Sequence, residues 1–290
     1  TGVGMMDCKK ALEANDGDMD KAIELLREKG LATQAKKSSR AAAEGIVTAV
    51  VKGNVGVILE VNTETDFAAN TDDIKNFVNA VANTIIEKNP ADVEALKAET
   101  ISDGTSTVGD VLTELAGMKI RENIVIRRFE RREGVLATYI HNGGSIGVMV
   151  KLDTALAADQ VAAIGKDVAM QSAALNAPYL NREEVPADVL EKEKEIMLAQ
   201  MAEDPKMASK PEQVRVKIVE GKIGKYYSEN CLLEQAFVKD DKLSVQGYVD
   251  AEAKKLGGTI AVTEVIRYER GEGVEKKEDN LADEVAKMIK

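Results

Sequence analysis

The side chains that could carry covalent chemistry in this chain are few and scattered. His141 is its one histidine, and Cys8 and Cys231 are its two cysteines. A general base needs a nucleophile within hydrogen-bond reach, and a zinc or redox centre draws its ligands from closely spaced Cys and His. The sequence offers neither: there is no CxxC and no Cys or Ser that spacing can place beside His141. His141 falls in a turn signature, where contact with a partner fits better than proton transfer. The 50 Asp and Glu could pair anywhere, and that abundance makes them uninformative; most belong to solvated helix faces. Phosphate-cradling GxxxxGK[ST], dinucleotide-binding GxGxxG and zinc-hydrolase HExxH do not occur. The chain is therefore expected to be no enzyme and to need no cofactor and no metal.

One stretch stands apart. Val61–Asn70, VNTETDFAAN, places Phe67 among threonines and acids in a chain holding four Phe, where no periodic pattern supplies a core. It can be a hydrophobic staple onto the following helix near Ile74, or an exposed group meant for another molecule. Met5-Met6 poses the same choice between a core position and a soft, adaptable contact surface.

The elements that must position these residues follow from pattern. GMMDCKKALEANDGDMDKAIELLREKG reads as two short helices broken at Asp16-Gly17-Asp18, with Met5, Cys8, Ala11 and Leu12 on one face and Gly30 closing the second. Two such helices bury little, so a third is expected ahead of Thr1. From Gly45 the period becomes that of strands, with a turn at Lys52-Gly53-Asn54. Ile74, Phe77, Val78, Val81 and Ile85 then mark a helix capped by Thr71. GVLATYIHNGGSIGVMV, from Gly134, repeats GIVTAVVKGNVGVIL, from Gly45, with a turn two residues longer, and the helix Ala157 to Leu175 follows it. Two related α+β subdomains result. The second copy lacks the TDF loop, so the fold does not require that loop.

The expected class is α+β: a helical region 1–32, a linker 33–44, a core subdomain 45–120, and a second formed by 121–180 with 231–270. A charged antiparallel helical hairpin at 181–230 is inserted in that second part, and 271–290 forms a terminal helical module. Net charge of -11 disfavours nucleic acid; the basic, alternating run Arg121 to Arg132 reads as a solvated sheet face. No apolar run approaches the length of about 18 residues that suggests a membrane helix, and no signal-peptide pattern opens the chain. Membrane and export are disfavoured, and a reducing cytoplasm suits the cysteines.

GMMDCKKAL, NTETDF, GSIGVMV and KIVEGKIGKYYSENCLLEQAFVKD, in this order along the whole chain, resemble the elongation factor Ts family. The resemblance implies a guanine nucleotide exchange factor for the translational GTPase elongation factor Tu. It also implies a ubiquitin-associated-like first domain, a duplicated core, a coiled-coil insertion and a C-terminal module. The family's TDF motif falls on Thr65, Asp66 and Phe67, implied to press on the GTPase near its Mg²⁺ and phosphate site. Met5, Met6, Lys9, Ile120, His141, Phe237 and Val238 match further contact positions. A homodimer, or a 2:2 assembly with the GTPase, is an expectation of the same kind. Arg121 replaces a usual glycine and Ala236 a usual proline, and Arg121 cannot reproduce close glycine packing. A scaffold that binds without affecting nucleotide, and an enzyme with an unrecognised carboxylate site, are the competing readings.

Overall fold

The computed structural model describes residues 5–274; the helix expected ahead of Thr1, and nearly all of the terminal module at 271–290, lie outside the described residues. The described chain divides into two compact units, residues 5–132 with 140–147 and 268–274, and residues 133–139 with 148–267.

The first unit opens with α1 (Met5–Glu13) and α2 (Met19–Lys37). Asp18 starts α2 by accepting the N–H groups of Asp20 and Lys21, which satisfies donors that a helix start otherwise leaves bare. Ala11, Ala22 and Leu26 form a small core with Cys8, Leu12, Leu25 and Met118. Met5 is not in it. α2 does not stop at Gly30, as the sequence suggested; it runs on to Lys37, so the first residues of the expected linker are helix. The glycine serves a helix crossing: a Cβ on Gly117 would lie 2.4 Å from the Gly30 carbonyl oxygen. Backbone meets backbone there, and only glycine permits it.

β1 (Glu44–Lys52) and β2 (Val55–Thr63) form an antiparallel hairpin whose register pairs Lys52 with Val55. Its two-residue turn starts with Gly53 at φ +61°, the conformation a tight hairpin demands of its first turn residue. α3 (Asp66–Ala69) and α4 (Asp72–Lys88) follow. α4 is capped by Thr71, which accepts from the Ile74 N–H, and ends at Asn89 in the left-handed region. Its Ile74, Phe77, Val78, Val81 and Ile85 pack on Val57, Leu59 and Val61 of β2; each such buried side chain contributes about 1.5–3 kcal/mol. α5 (Val93–Ala98) and α6 (Val108–Glu114) complete this core, and a single wide turn at Leu115–Lys119 carries Gly117.

β3 (Val125–Glu133) is the third strand of the first sheet, in the order β1-β2-β3. The sequence had assigned this segment to the second subdomain. Nor is its basic run a solvated face. β2 lies between two strands and is buried from Gly56 to Thr63, including Glu60 at 0% exposure. Arg127 and Arg128 reach it, with N···O distances of 3.0 and 2.7 Å. A buried carboxylate demands such partners, and they draw the arginines inward.

The second sheet has the order β4-β5-β8, from β4 (Val135–His141), β5 (Ile146–Asp153) and, later, Ala261–Glu269. α7 (Ala158–Ala174) follows the hairpin. α8 (Ala187–Glu203), the short α9 (Pro205–Ala208) and α10 (Glu212–Asn230) come next. Met201, Val219 and Ile223 join Leu190, Met197 and Tyr227 in a small cluster of their own. β6 (Ala236–Phe237) and β7 (Asp240–Ser244) precede α11 (Val245–Lys255) and β8 (Ala261–Glu269). Ser244 caps α11 through the Gly247 N–H, and Gly257 at φ +72° ends it.

Each sheet thus consists of a hairpin plus a strand that returns, after a helix, beside the hairpin's second member. The repeat extends to backbone detail: Gly45 and Gly134, matched by sequence, have φ values of +131° and +134°.

Candidate functional site

Phe67 is 84% exposed, on a loop whose backbone is held at many points. Thr65 caps α3, its hydroxyl oxygen accepting the Ala68 N–H at 3.2 Å. The same hydroxyl donates to Glu122 Oε1 at 2.7 Å, while the Thr65 N–H donates to Glu122 Oε2 at 3.0 Å. One carboxylate therefore fixes both the backbone and the side-chain rotamer of Thr65. From the other side, the Thr63 hydroxyl donates to the Thr65 carbonyl at 2.7 Å. Asn70 Nδ2 donates to the Asp66 carbonyl at 2.9 Å, and the Thr71 hydroxyl to that of Ala68 at 2.7 Å. Ala68 and Ala69 are buried, so this single helical turn faces inward with its alanines and outward with Asp66 and Phe67. The staple alternative is thereby excluded, because a phenylalanine this exposed does not cover Ile74.

Glu122 belongs to a three-residue strap after the Leu115–Lys119 turn. Arg121 has φ +63° and pairs with Asp7 of α1 at 2.5 Å. Asn123 is buried; its N–H donates to Glu64 Oε1 at 2.6 Å, and its Nδ2 to the Arg40 carbonyl at 2.7 Å. Arg40 pairs in turn with Glu64. Lys37 stands close by: burial, and then Arg40, push its ammonium below the usual lysine range, while Glu64 and Glu122 pull the other way. The loop base is thus a compact cluster of paired charges. Position 121 is left-handed, a conformation in which glycine is unstrained and arginine is not.

The remaining anticipated residues are dispersed. Met5, at 85% exposure, and Met6 are exposed on α1 among the described residues. Lys9 is exposed and pairs with Glu13. Ile120 is half-buried against the first unit's core, and His141 is exposed at the end of β4. Phe237 requires a correction. It is 3% exposed and stacks on Tyr248 with ring centres 4.1 Å apart, so its side chain presents no surface to a partner in this conformation. Val238 beside it is exposed, its N–H donating to Gln171 Oε1.

Glu64, Glu122 and Asn123 were not anticipated. Nothing in the spacing of residues 57 or more apart pairs them, and acidic residues are too common in this chain to draw notice. Among the described residues no group of His, Cys, Asp and Glu could hold a metal ion, and no helix is long and apolar enough to cross a membrane.

Repeated hairpin–helix–strand units, helices set into the second of them, and one exposed aromatic on a capped loop define an α+β protein of duplicated architecture. The family model described as elongation factor TS matches residues 64–272. Elongation factor Ts of Syntrophotalea carbinolica is 46% identical over 294 aligned residues, covering all of this chain and 95% of that protein. Its counterparts from Clostridium perfringens strain SM101 and Magnetococcus marinus are 48% and 44% identical, each with 95% of its length covered. The chain belongs to the elongation factor Ts family, whose members are nucleotide exchange factors of translation elongation.

Proposed function

We propose that this chain binds the GTPase elongation factor Tu and speeds GDP release by disturbing the GTPase's Mg²⁺ and phosphate site. The observation that carries this reading is the bare Phe67 ring on a loop fastened at Thr65. A GTPase holds GDP partly through Mg²⁺, whose charge offsets that of the phosphates; moving the metal's oxygen ligands weakens the nucleotide. An aromatic wedge on a rigid base can do that, because its insertion displaces partner atoms and not its own loop. Asp66, exposed beside it, supplies a carboxylate that can take a backbone N–H or displace a ligand-holding group.

By linkage, a protein that prefers the nucleotide-free GTPase loosens nucleotide by the same factor by which nucleotide loosens it. No bond is made or broken on this chain. Met5, Met6, Lys9, Ile120, His141 and Val238 are the further contact positions that the family resemblance implies. A cytoplasmic setting, and a homodimer or 2:2 assembly with the GTPase, belong to the same reading.

Mixing the chain with GDP-loaded elongation factor Tu, and following labelled GDP by stopped flow, tests it. Release should quicken, and the Phe67→Ala variant should lose most of the gain while keeping its fold. Unchanged release with the intact chain would overturn the proposal.

A further inference from the structure

We infer that Glu122 is a positioning residue for exchange, acting through Thr65 to set the direction in which Phe67 leaves the loop; this rests on the exchange reading above. Phe67 itself touches little of its own chain, so its direction is inherited from the residues just before it. Of these, Thr65 is the one whose rotamer is determined from both sides. Its hydroxyl has a single proton, given to Glu122 Oε1, and its oxygen takes the Ala68 N–H that begins the turn carrying Phe67. Its N–H is taken by the second oxygen of the same carboxylate. Remove Glu122, and the Thr65 N–H loses its partner while the hydroxyl is free to rotate away from its capping geometry. A half-buried amide without an acceptor is costly enough to make the loop rearrange.

The carboxylate is itself held in place. Arg121, on one side of it, is anchored to α1 through Asp7, and Asn123, on the other, to the Glu64 carboxylate and the carbonyls of Ser38 and Arg40. A strap pinned at both flanks presents a fixed acceptor pair, which is the condition for holding a reacting group to a fraction of an ångström. Nothing in the packing of the core calls for a carboxylate here. The hydrophobic interior of the first unit is built from other residues, and both of the carboxylate's hydrogen bonds among the described residues go to Thr65, with Lys37 near enough to feel its charge.

The test is a double-mutant cycle read by GDP release from GDP-loaded elongation factor Tu. Glu122→Ala should slow exchange about tenfold, the scale on which a misplaced group loses effect. In a Phe67→Ala background the same change should alter exchange less than about twofold, because no ring remains to be aimed. Glu122→Gln should fall between wild type and Glu122→Ala: its amide oxygen can take the Thr65 N–H while its NH₂ turns to the hydroxyl oxygen. Equal losses with and without Phe67, or no loss with Glu122→Ala, would overturn the assignment.

A second readout needs no GTPase. In protein labelled with 4-fluorophenylalanine, the ¹⁹F resonance that Phe67→Ala removes should shift or broaden in Glu122→Ala while the others stay fixed. Should Glu122→Ala not fold, Glu64→Gln weakens the strap from the other side and is expected to disturb the same resonance; an unmoved signal refutes the positioning role. A wild-type chain that fails to release GDP would sink the exchange reading alone, since the ¹⁹F result would still decide whether Glu122 orients Phe67.

Discussion

Glu64 and Glu122 each accept the backbone N–H of the residue that follows the other: Glu64 Oε1 takes the Asn123 N–H at 2.6 Å, and Glu122 Oε2 takes the Thr65 N–H at 3.0 Å. Two segments far apart in sequence are thereby clasped without a sheet ladder, each carboxylate satisfying an amide that the chain's turn leaves unpaired. The clasp sits at the exit of the buried strand β2, immediately before Asp66 and Phe67. Rigidity is supplied where the loop begins, and exposure where it acts.

Asp66 enters this arrangement only through its backbone carbonyl, which Asn70 binds, so its exposed carboxylate is not what gives the loop its shape. Asp66→Asn should leave the urea unfolding midpoint within the range of an ordinary surface change, about 0.5 kcal/mol. It should nonetheless slow GDP release from elongation factor Tu several-fold, on the order of 1 kcal/mol, the scale of a lost charge-assisted hydrogen bond. Stopped flow and equilibrium unfolding on the same preparation check both halves. An unaltered release rate would show that the charge has no part in exchange.

Glu60 gives the first unit a pH dependence of definite sign. Burial pushes its carboxyl up, but hydrogen bonds from the Gly271 N–H, Asn62, Arg128 and Arg127 outweigh that, and the net shift is downward. A depressed carboxyl stabilises the fold fully above its unfolded value, about 4.3, and the contribution is lost as pH falls from there through the folded value. Glu60→Gln takes a shared carboxylate from two half-buried guanidinium groups, of which Arg128 keeps Glu272, and should cost about 3 kcal/mol near neutral pH. The gap between the melting curves of wild type and variant should close as pH drops below about 4. A gap that stays constant to pH 3 would contradict the role assigned to this cluster.

What could be read from the sequence, and what could not, divides along locality. The α4 stripe, the Gly53 turn, the Thr71 and Ser244 caps and the hairpin repeat depend on residues within a few positions of one another, and all appear in the structure. The basic strand β3 was legible as a strand but not as the partner of Glu60, because alternation says which side chains share a face and not what covers them. Gly30 reads as a helix end in the sequence because its close neighbour, Gly117, is distant along the chain. Phe237 matched a contact position by motif, yet Tyr248, which buries it, lies on a later helix. Phe67 was recognisable as anomalous from local pattern alone; Glu122, which holds its loop, gave no local sign.

The paired glycines of the repeat should differ in tolerance. Both Gly45 and Gly134 hold φ values that burden any side chain, a strain of about 1–3 kcal/mol. At Gly45 a Cβ would also lie 2.1 Å from the Val61 carbonyl oxygen, whereas at Gly134 its nearest neighbour is the flexible end of Lys151 at 3.3 Å. Gly45→Ala should therefore destabilise distinctly more than Gly134→Ala in urea titrations. Equal losses would mean that backbone strain, and not the collision with β2, governs both sites.

The crossing of α2 with the Leu115–Lys119 turn makes a sharper comparison, because its two glycines face each other. A Cβ on Gly117 would collide with the Gly30 backbone, at 2.4 Å from its carbonyl oxygen and 2.7 Å from its Cα, and neither atom can yield without moving a helix. A Cβ on Gly30 would instead meet the Met118 side chain at 3.4 Å, ordinary contact with an adaptable thioether. It would also gain helix propensity of about 1 kcal/mol. Gly117→Ala should accordingly cost about 2 kcal/mol or more through overpacking and raise amide exchange along α1 and α2, whose small core shares Met118. Gly30→Ala should be neutral or stabilising. Hydrogen exchange on both variants checks the pair, and a destabilised Gly30→Ala beside a tolerated Gly117→Ala would reverse the assignment of which backbone is the immovable one.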